Sequence, residues 1–140
     1  MNNLDDGLPR DNPAVVSVEI EAIARDIVDC GLKVHRALGP GLLESAHEAC
    51  LAHEIAKRSY VVRRQIALPI VYDGLHLDVG YRIDLLINDS VLVEVKAVNT
   101  LLPIHQAQLM TYLKLSGHRL GFLMNFNVGM FKNGLRRIVR

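Results

Sequence analysis

The sequence predicts an α/β domain: a mixed central sheet with helices packed against its faces. Three observations predict it. Apolar residues recur at helical spacing over residues 17–38, 42–58 and 101–116. Between the second and third of these segments lies a Val- and Ile-rich stretch cut by turn residues, and a short apolar run follows the third. The expected order is α-α-β-β-β-β-α-β-β. Residues 1–14, with Asp5, Asp6, Gly7, Pro9, Asp11 and Pro13, read as a loose tail. Residues 15–140 then form one domain, which suits a chain of 140 residues.

Each element has a local reason. Ser17, with Glu19 and Glu21 behind it, starts the first helix, because acids suit the positive end of a helix dipole. Ile20, Ile23, Ile27, Val34 and Leu38 give its apolar stripe, and Gly39-Pro40-Gly41 ends it. The second helix runs from about Leu42 to about Arg58, with Leu43, Ala46, Cys50 and Ile55 as its apolar face. Tyr60–Tyr72 reads as a strand in which Pro69 marks an edge or a bulge. Asp73-Gly74 is a hairpin turn, followed by strands at Leu75–Val79 and Tyr81–Ile87. Asn88-Asp89-Ser90 turns the chain into Val91–Val98, its most strand-like segment. Leu102, Leu109 and Leu113 mark the core side of the third helix, and Gly117 its end. Leu120–Phe126 reads as a strand buried on both faces, and Asn133-Gly134 as a last turn.

Composition narrows the function classes. Half of the residues are hydrophobic and 22% are charged, a globular balance. No apolar run reaches the ~20 residues of a membrane span. The polar, acidic start does not read as a secretory signal. Cys30 and Cys50 form no CxxC pair, so buried thiols in a reducing cytoplasm are expected. Residues 1–30 carry seven acids and two bases, whereas 31–140 carry eight acids and fourteen bases. A basic body favours a polyanionic partner.

The chemistry concentrates in Arg82–Lys96. If residues 88–90 close a three-residue turn, Ile87 faces Val91 and Asp84 faces Glu94 across the hairpin. Lys96 then shares their face, and Ile83, Leu85, Ile87, Val91, Val93 and Val95 form the other. A two-residue turn would scatter the group. Facing carboxylates raise each other's pKa unless a cation intervenes, and hard oxygens suit Mg²⁺ or Mn²⁺. A cross-strand salt bridge on a solvated face is the plainer alternative. Strands this apolar argue against it, since they are expected to be covered on both faces.

Asp84 followed after nine residues by Glu94-Val-Lys96 resembles the core of the PD-(D/E)xK nuclease superfamily. Gly41-Leu-Leu-Glu44, Gln65, Leu68-Pro69-Ile-Val-Tyr72, His105-Gln-Ala-Gln108-Leu-Met-Thr-Tyr112-Leu and Gly121-Phe-Leu-Met-Asn125-Phe resemble, in order, the GxxExxY family of small nuclease-like proteins. The resemblance implies a restriction-endonuclease-like core with an acidic cleft at one edge of the sheet. It implies that Asp84, Glu94 and the helical acid Glu44 hold Mg²⁺ or Mn²⁺, and that Lys96 assists the attacking water. It places Gln108 beside them, with His47, His105 and Tyr112 as supporting residues. The family's name-giving tyrosine falls at position 47, where this sequence has His47. Core packing is the plainer reading of Tyr112, a surface or capping role that of His105, and a solvated neighbour that of Glu48.

The function expected is metal-dependent phosphodiester hydrolysis, with DNA as the nucleic-acid partner. Arg63, Arg64, Arg82, Lys132, Arg136 and Arg137 are the candidate phosphate contacts. Aromatic residues make up only 5% of the chain, so backbone contacts are expected to outweigh base stacking. The alternative is a catalytically silent nuclease-fold module that binds nucleic acid or a protein. A homodimer, through the first helix, would suit cutting of both strands.

Overall fold

The computed structural model describes residues 16–140. The tail expected over residues 1–14 lies outside them. Helix α1 (Val18–Leu38) starts where Ser17 Oγ accepts the Ile20 amide, and it ends at Gly39, whose φ of 63° lets its amide reach His35 O. Helix α2 (Glu44–Lys57) follows. The strands are β1 (Val62–Ala67), β2 (Ile70–Tyr72), β3 (Leu75–Leu77), β4 (Arg82–Ile87) and β5 (Val91–Lys96). Helix α3 (Pro103–Ser116), β6 (Leu120–Asn125), the short helix α4 (Phe131–Gly134) and β7 (Leu135–Val139) complete the chain.

A five-stranded mixed sheet in the order β1-β4-β5-β6-β7 forms the centre. Only β5 and β6 run parallel, and α3 is the crossover between them. One face packs on α1 and α2, burying Ile27, Leu51 and Ile55 against Leu85, Val93 and Met124. The other packs on α3, burying Leu109 and Leu113 against Leu86, Leu92 and Leu123. Alternate residues of β5 and β6 therefore enter opposite cores, which explains why β6 is buried throughout.

The structure corrects three local expectations. The Tyr60–Tyr72 strand is two strands, because Leu68-Pro69 interrupts it, and β2 leaves the main sheet to pair with β3 alone. The Asn133-Gly134 turn is instead the end of α4. Leu43 and Leu102 sit at helix N-caps, 76% and 51% exposed, so neither belongs to the core.

The Gly134 position follows from packing. A Cβ there would lie 2.0 Å from the Asn125 carbonyl oxygen at the end of β6, whereas one at Gly129 would meet nothing within 4 Å. Gly134→Ala is expected to destabilise the fold by about 2 kcal/mol or more, and Gly129→Ala by less than about 0.5 kcal/mol. Urea unfolding of the two variants measures the difference.

Candidate active site

The β4–β5 hairpin has the expected register. Ile87 pairs with Val91, Leu86 with Leu92 and Leu85 with Val93. Asn88 and Asp89 both adopt positive φ, which closes the three-residue turn. One step further along the strands, side chains take over from the ladder. The Asp84 amide donates to Glu94 Oε1 at 3.0 Å. The Val95 amide donates to Asp84 Oδ2 at 2.9 Å. Each acid thus accepts a backbone hydrogen from the opposite strand, which fixes both carboxylates where the strands part. The side-chain alternation slips here too. Ile83 packs in the α3-side core with Leu86, not with Leu85 and Ile87 as the period of two predicts. Gln65, which falls opposite Asp84 in the β1–β4 register, has a φ of 51°.

Helix α2 closes the site from one side. Glu44 Oε1 accepts the Ala97 amide, just past Lys96, at 3.1 Å. Glu48, one turn on, is buried rather than solvated. It accepts from Arg64 Nη2 at 2.9 Å and from Gln65 Nε2 at 2.6 Å. Gln65 Nε2 also lies 3.2 Å from Asp84 Oδ1, so one amide links the helical acid to the strand acid. Glu44, Ser45, Glu48, Gln65, Asp84 and Val95 line a polar cavity of about 160 Å³. Sequence reasoning missed the weight of Glu48 and Gln65. Their signal was the four-residue spacing from Glu44 and a polar residue across from Asp84.

The other candidates separate. Lys96, half-buried at the end of β5, faces Asn125 of β6. Asn125 is buried and holds the chain that leaves Lys96: its Oδ1 accepts the Val98 amide at 3.1 Å and its Nδ2 donates to Val98 O at 2.9 Å. Gln108, like Glu94 and Lys96, is not among the residues that line the acidic cavity. It donates to the Tyr112 hydroxyl at 2.9 Å, on the α3 side. Tyr112 packs in the core, with that hydroxyl bonded. His105 caps α3, its Nδ1 accepting the Leu102 amide at 3.0 Å. His47 is wholly buried behind the site, stacked on Phe126 at 4.6 Å, with Nε2 3.0 Å from Gly39 O. The ring at position 47 therefore serves packing.

The predicted phosphate contacts do not form one patch. Arg63, Arg64 and Arg82 lie on β1 and β4, and Arg136 and Arg137 on the opposite edge strand β7. Arg64 is held by Glu48, and Arg137 forms an ion pair with Glu21 of α1. Arg136 bonds the carbonyls of Asn133 and Leu135. Lys132 is exposed on α4.

Burial between two cores pushes the Glu94 carboxyl up to about 8, and the charge of Asp84 adds to it. Asp84 is raised as well, first by burial and then by the charge of Glu48, although the Val95 amide opposes the shift. Lys96 stabilises both anions, but less than burial disfavours them. The pair is short of positive charge. Its hard oxygen donors fit Mg²⁺ or Mn²⁺, which bind through one or two carboxylates and keep several waters. Among the described residues, no three His, Cys, Asp or Glu side chains converge as a metal cluster. Glu44 Oε1 engages the Ala97 amide, and Glu44 lines the same cavity as Asp84.

The sign of the pH effect follows. An unfolded Glu94 loses its proton near 4.5 and a folded one near 8. Between these values the folded state binds more protons, so its stability falls as pH rises. Thermal melts in EDTA from about pH 5 to about pH 9 are expected to show a falling Tm, and Glu94→Gln to flatten the slope. Excess Mg²⁺ is expected to raise the wild-type Tm most at the alkaline end.

Searches of curated proteins and of solved structures found no match to this chain. A family model described as the PD-(D/E)XK nuclease superfamily matches residues 21–138, which take in most of α1, all of α2, the acid hairpin, α3 and nearly all of β7. The fold and the Asp84/Glu94-Val-Lys96 hairpin agree with that match, and the chain belongs to the PD-(D/E)XK nuclease superfamily.

Proposed function

We propose that the protein is a divalent-metal-dependent nuclease of the GxxExxY kind that hydrolyses phosphodiester bonds in DNA. The observation that carries this reading is the pair of half-buried Asp84 and buried Glu94, locked by crossed backbone bonds and left with too little positive charge. Asp84 and Glu94 would hold Mg²⁺ or Mn²⁺, which when bound supplies Lewis acidity to the scissile phosphate. Lys96, fixed by β5 and by the Asn125–Val98 bonds next to it, places an ammonium at the same end of the sheet. It can orient a water and offset charge that develops on the phosphate oxygens. Glu44 holds the backbone after Lys96 and can accept a proton from a water there. Gln65 and Glu48 keep Asp84 oriented and so act as positioning residues. In-line attack by that water releases a 5′-phosphate.

Substrate phosphates would meet the β1–β4 side first, where Arg63 and Arg82 are exposed. A symmetric dimer would bring two such sites to a duplex.

Cleavage of plasmid and short duplex DNA with Mg²⁺ or Mn²⁺ tests the reading. Lys96→Ala is expected to lower the rate by at least about 100-fold while the protein stays folded. EDTA should abolish cutting. A folded wild type that binds the metal but cuts no DNA would favour the silent-module alternative. Binding separates the basic residues. Arg63→Ala with Arg82→Ala is expected to weaken DNA binding about tenfold and reduce its salt slope by about 2. Arg137→Ala should leave affinity unchanged and loosen α1, read by titration in two salt concentrations and by thermal melts.

A further inference from the structure

A second cavity, of about 350 Å³, opens beside the acids on the α3 side. Its volume falls in the ~300–1,000 Å³ range of small-ligand pockets. Ile70, Tyr81, Ile104, Tyr112 and Leu115 supply apolar and aromatic walls, and His105, Gln108 and Thr111 supply polar atoms. Tyr81 is 42% exposed and packs edge-on to Tyr112, ring centroids 6.2 Å apart. Exposed aromatic surface of this kind is the usual platform for a nucleobase. The polar atoms are specifically arranged. Gln108 spends one amide hydrogen on Tyr112, which leaves its carbonyl oxygen as an acceptor. His105 Nδ1 takes the Leu102 amide, so in the neutral ring the proton sits on Nε2, a donor. Thr111 returns its hydroxyl to Ala107 O and does not compete.

The cavity lies near the strand acids: Tyr112, one of its walls, is within reach of the charges of Glu94 and Asp84. Tyr81 stands three residues before Asp84, which limits their separation to about 10 Å of extended chain. The Tyr112 ring is a wall of this cavity and also borders the core on which the acid hairpin lies.

We propose that this cavity binds one unpaired nucleobase of the nucleotide next to the scissile phosphate, stacked on Tyr81 with its edge read by Gln108 and His105. The proposal deepens the nuclease reading and rests on it. It makes the preferred substrate DNA with an extruded or single-stranded base, not uninterrupted duplex.

The test is binding, without turnover. Lys96→Ala protein in EDTA is titrated into a duplex that carries one unpaired 2-aminopurine, and into the same duplex with an abasic residue there. The base-bearing duplex is expected to bind at least about fivefold tighter, with quenched fluorescence. Tyr81→Ala in the same background should remove both the quenching and the preference. Ala107→Leu, which fills the cavity from an exposed helix position, should do the same without disturbing the fold. Equal affinity for the two duplexes would overturn the proposal. So would a Tyr81→Ala effect confined to sedimentation behaviour, which would make this face a contact between copies of the chain. Because no step depends on cleavage, a failed pocket leaves the cleavage test intact, and a failed cleavage test leaves this one readable.

Discussion

The site depends on one exchange: where β4 and β5 part, carboxylates take the place of carbonyls as acceptors for the backbone. Asp84 and Glu94 each bond an amide of the other strand. A solvated hairpin end would need no such device, because water would satisfy its amides. Here the α1–α2 core lies on one face and the α3 core on the other, so Glu94 is buried and Asp84 half-buried. The acids thus complete the hydrogen bonding of a partly buried hairpin end. In doing so they bring two negative charges together in a place that disfavours them. Lys96, Gln65 and the Arg64–Glu48 pair surround this strained point. The folding requirement and the chemistry rest on the same two side chains.

Much of this was legible in the sequence. The hairpin register hinged on a three-residue turn, and Asn88-Asp89 tolerates the positive φ that this turn requires. The helix boundaries followed from Ser17, whose side-chain oxygen caps α1, and from Gly39 and Gly117, whose positive φ other residues adopt poorly. The missed features were set by tertiary contacts. Ile83 changes face because the ladder opens at Asp84, and no local pattern records that. Gly134 resembled a turn residue, yet it is glycine because the Asn125 carbonyl leaves no space for a Cβ. Glu48 looked solvated until β1 folded over it with Arg64 and Gln65.

The site residues sort in the same way. The strand acids and Lys96 were legible because strands impose a strict period. Gln108 was placed beside the acids by resemblance; its amide bonds Tyr112, which is within reach of the charge of Glu94 and also lines the second cavity. The scarcity of aromatic residues suggested little role for stacking. Topology instead concentrates two tyrosines, Tyr81 and Tyr112, in one pocket next to the acids. The candidate phosphate contacts divide between the β1–β4 side of the sheet and its α4–β7 end, with Arg137 engaged by Glu21. Charge counts give the sign of a partner, and only the fold says which charges remain available to it.

The central claim is that Glu94 is an acid held out of its ordinary range until a cation joins it. The most direct measurement is the carboxyl carbon shift of Glu94, followed by NMR across pH with and without Mg²⁺. The account predicts titration near 8 in the metal-free protein and a fall to below the usual carboxylate range when Mg²⁺ is added. A Glu94 that titrates near 4.5 in both conditions would contradict it.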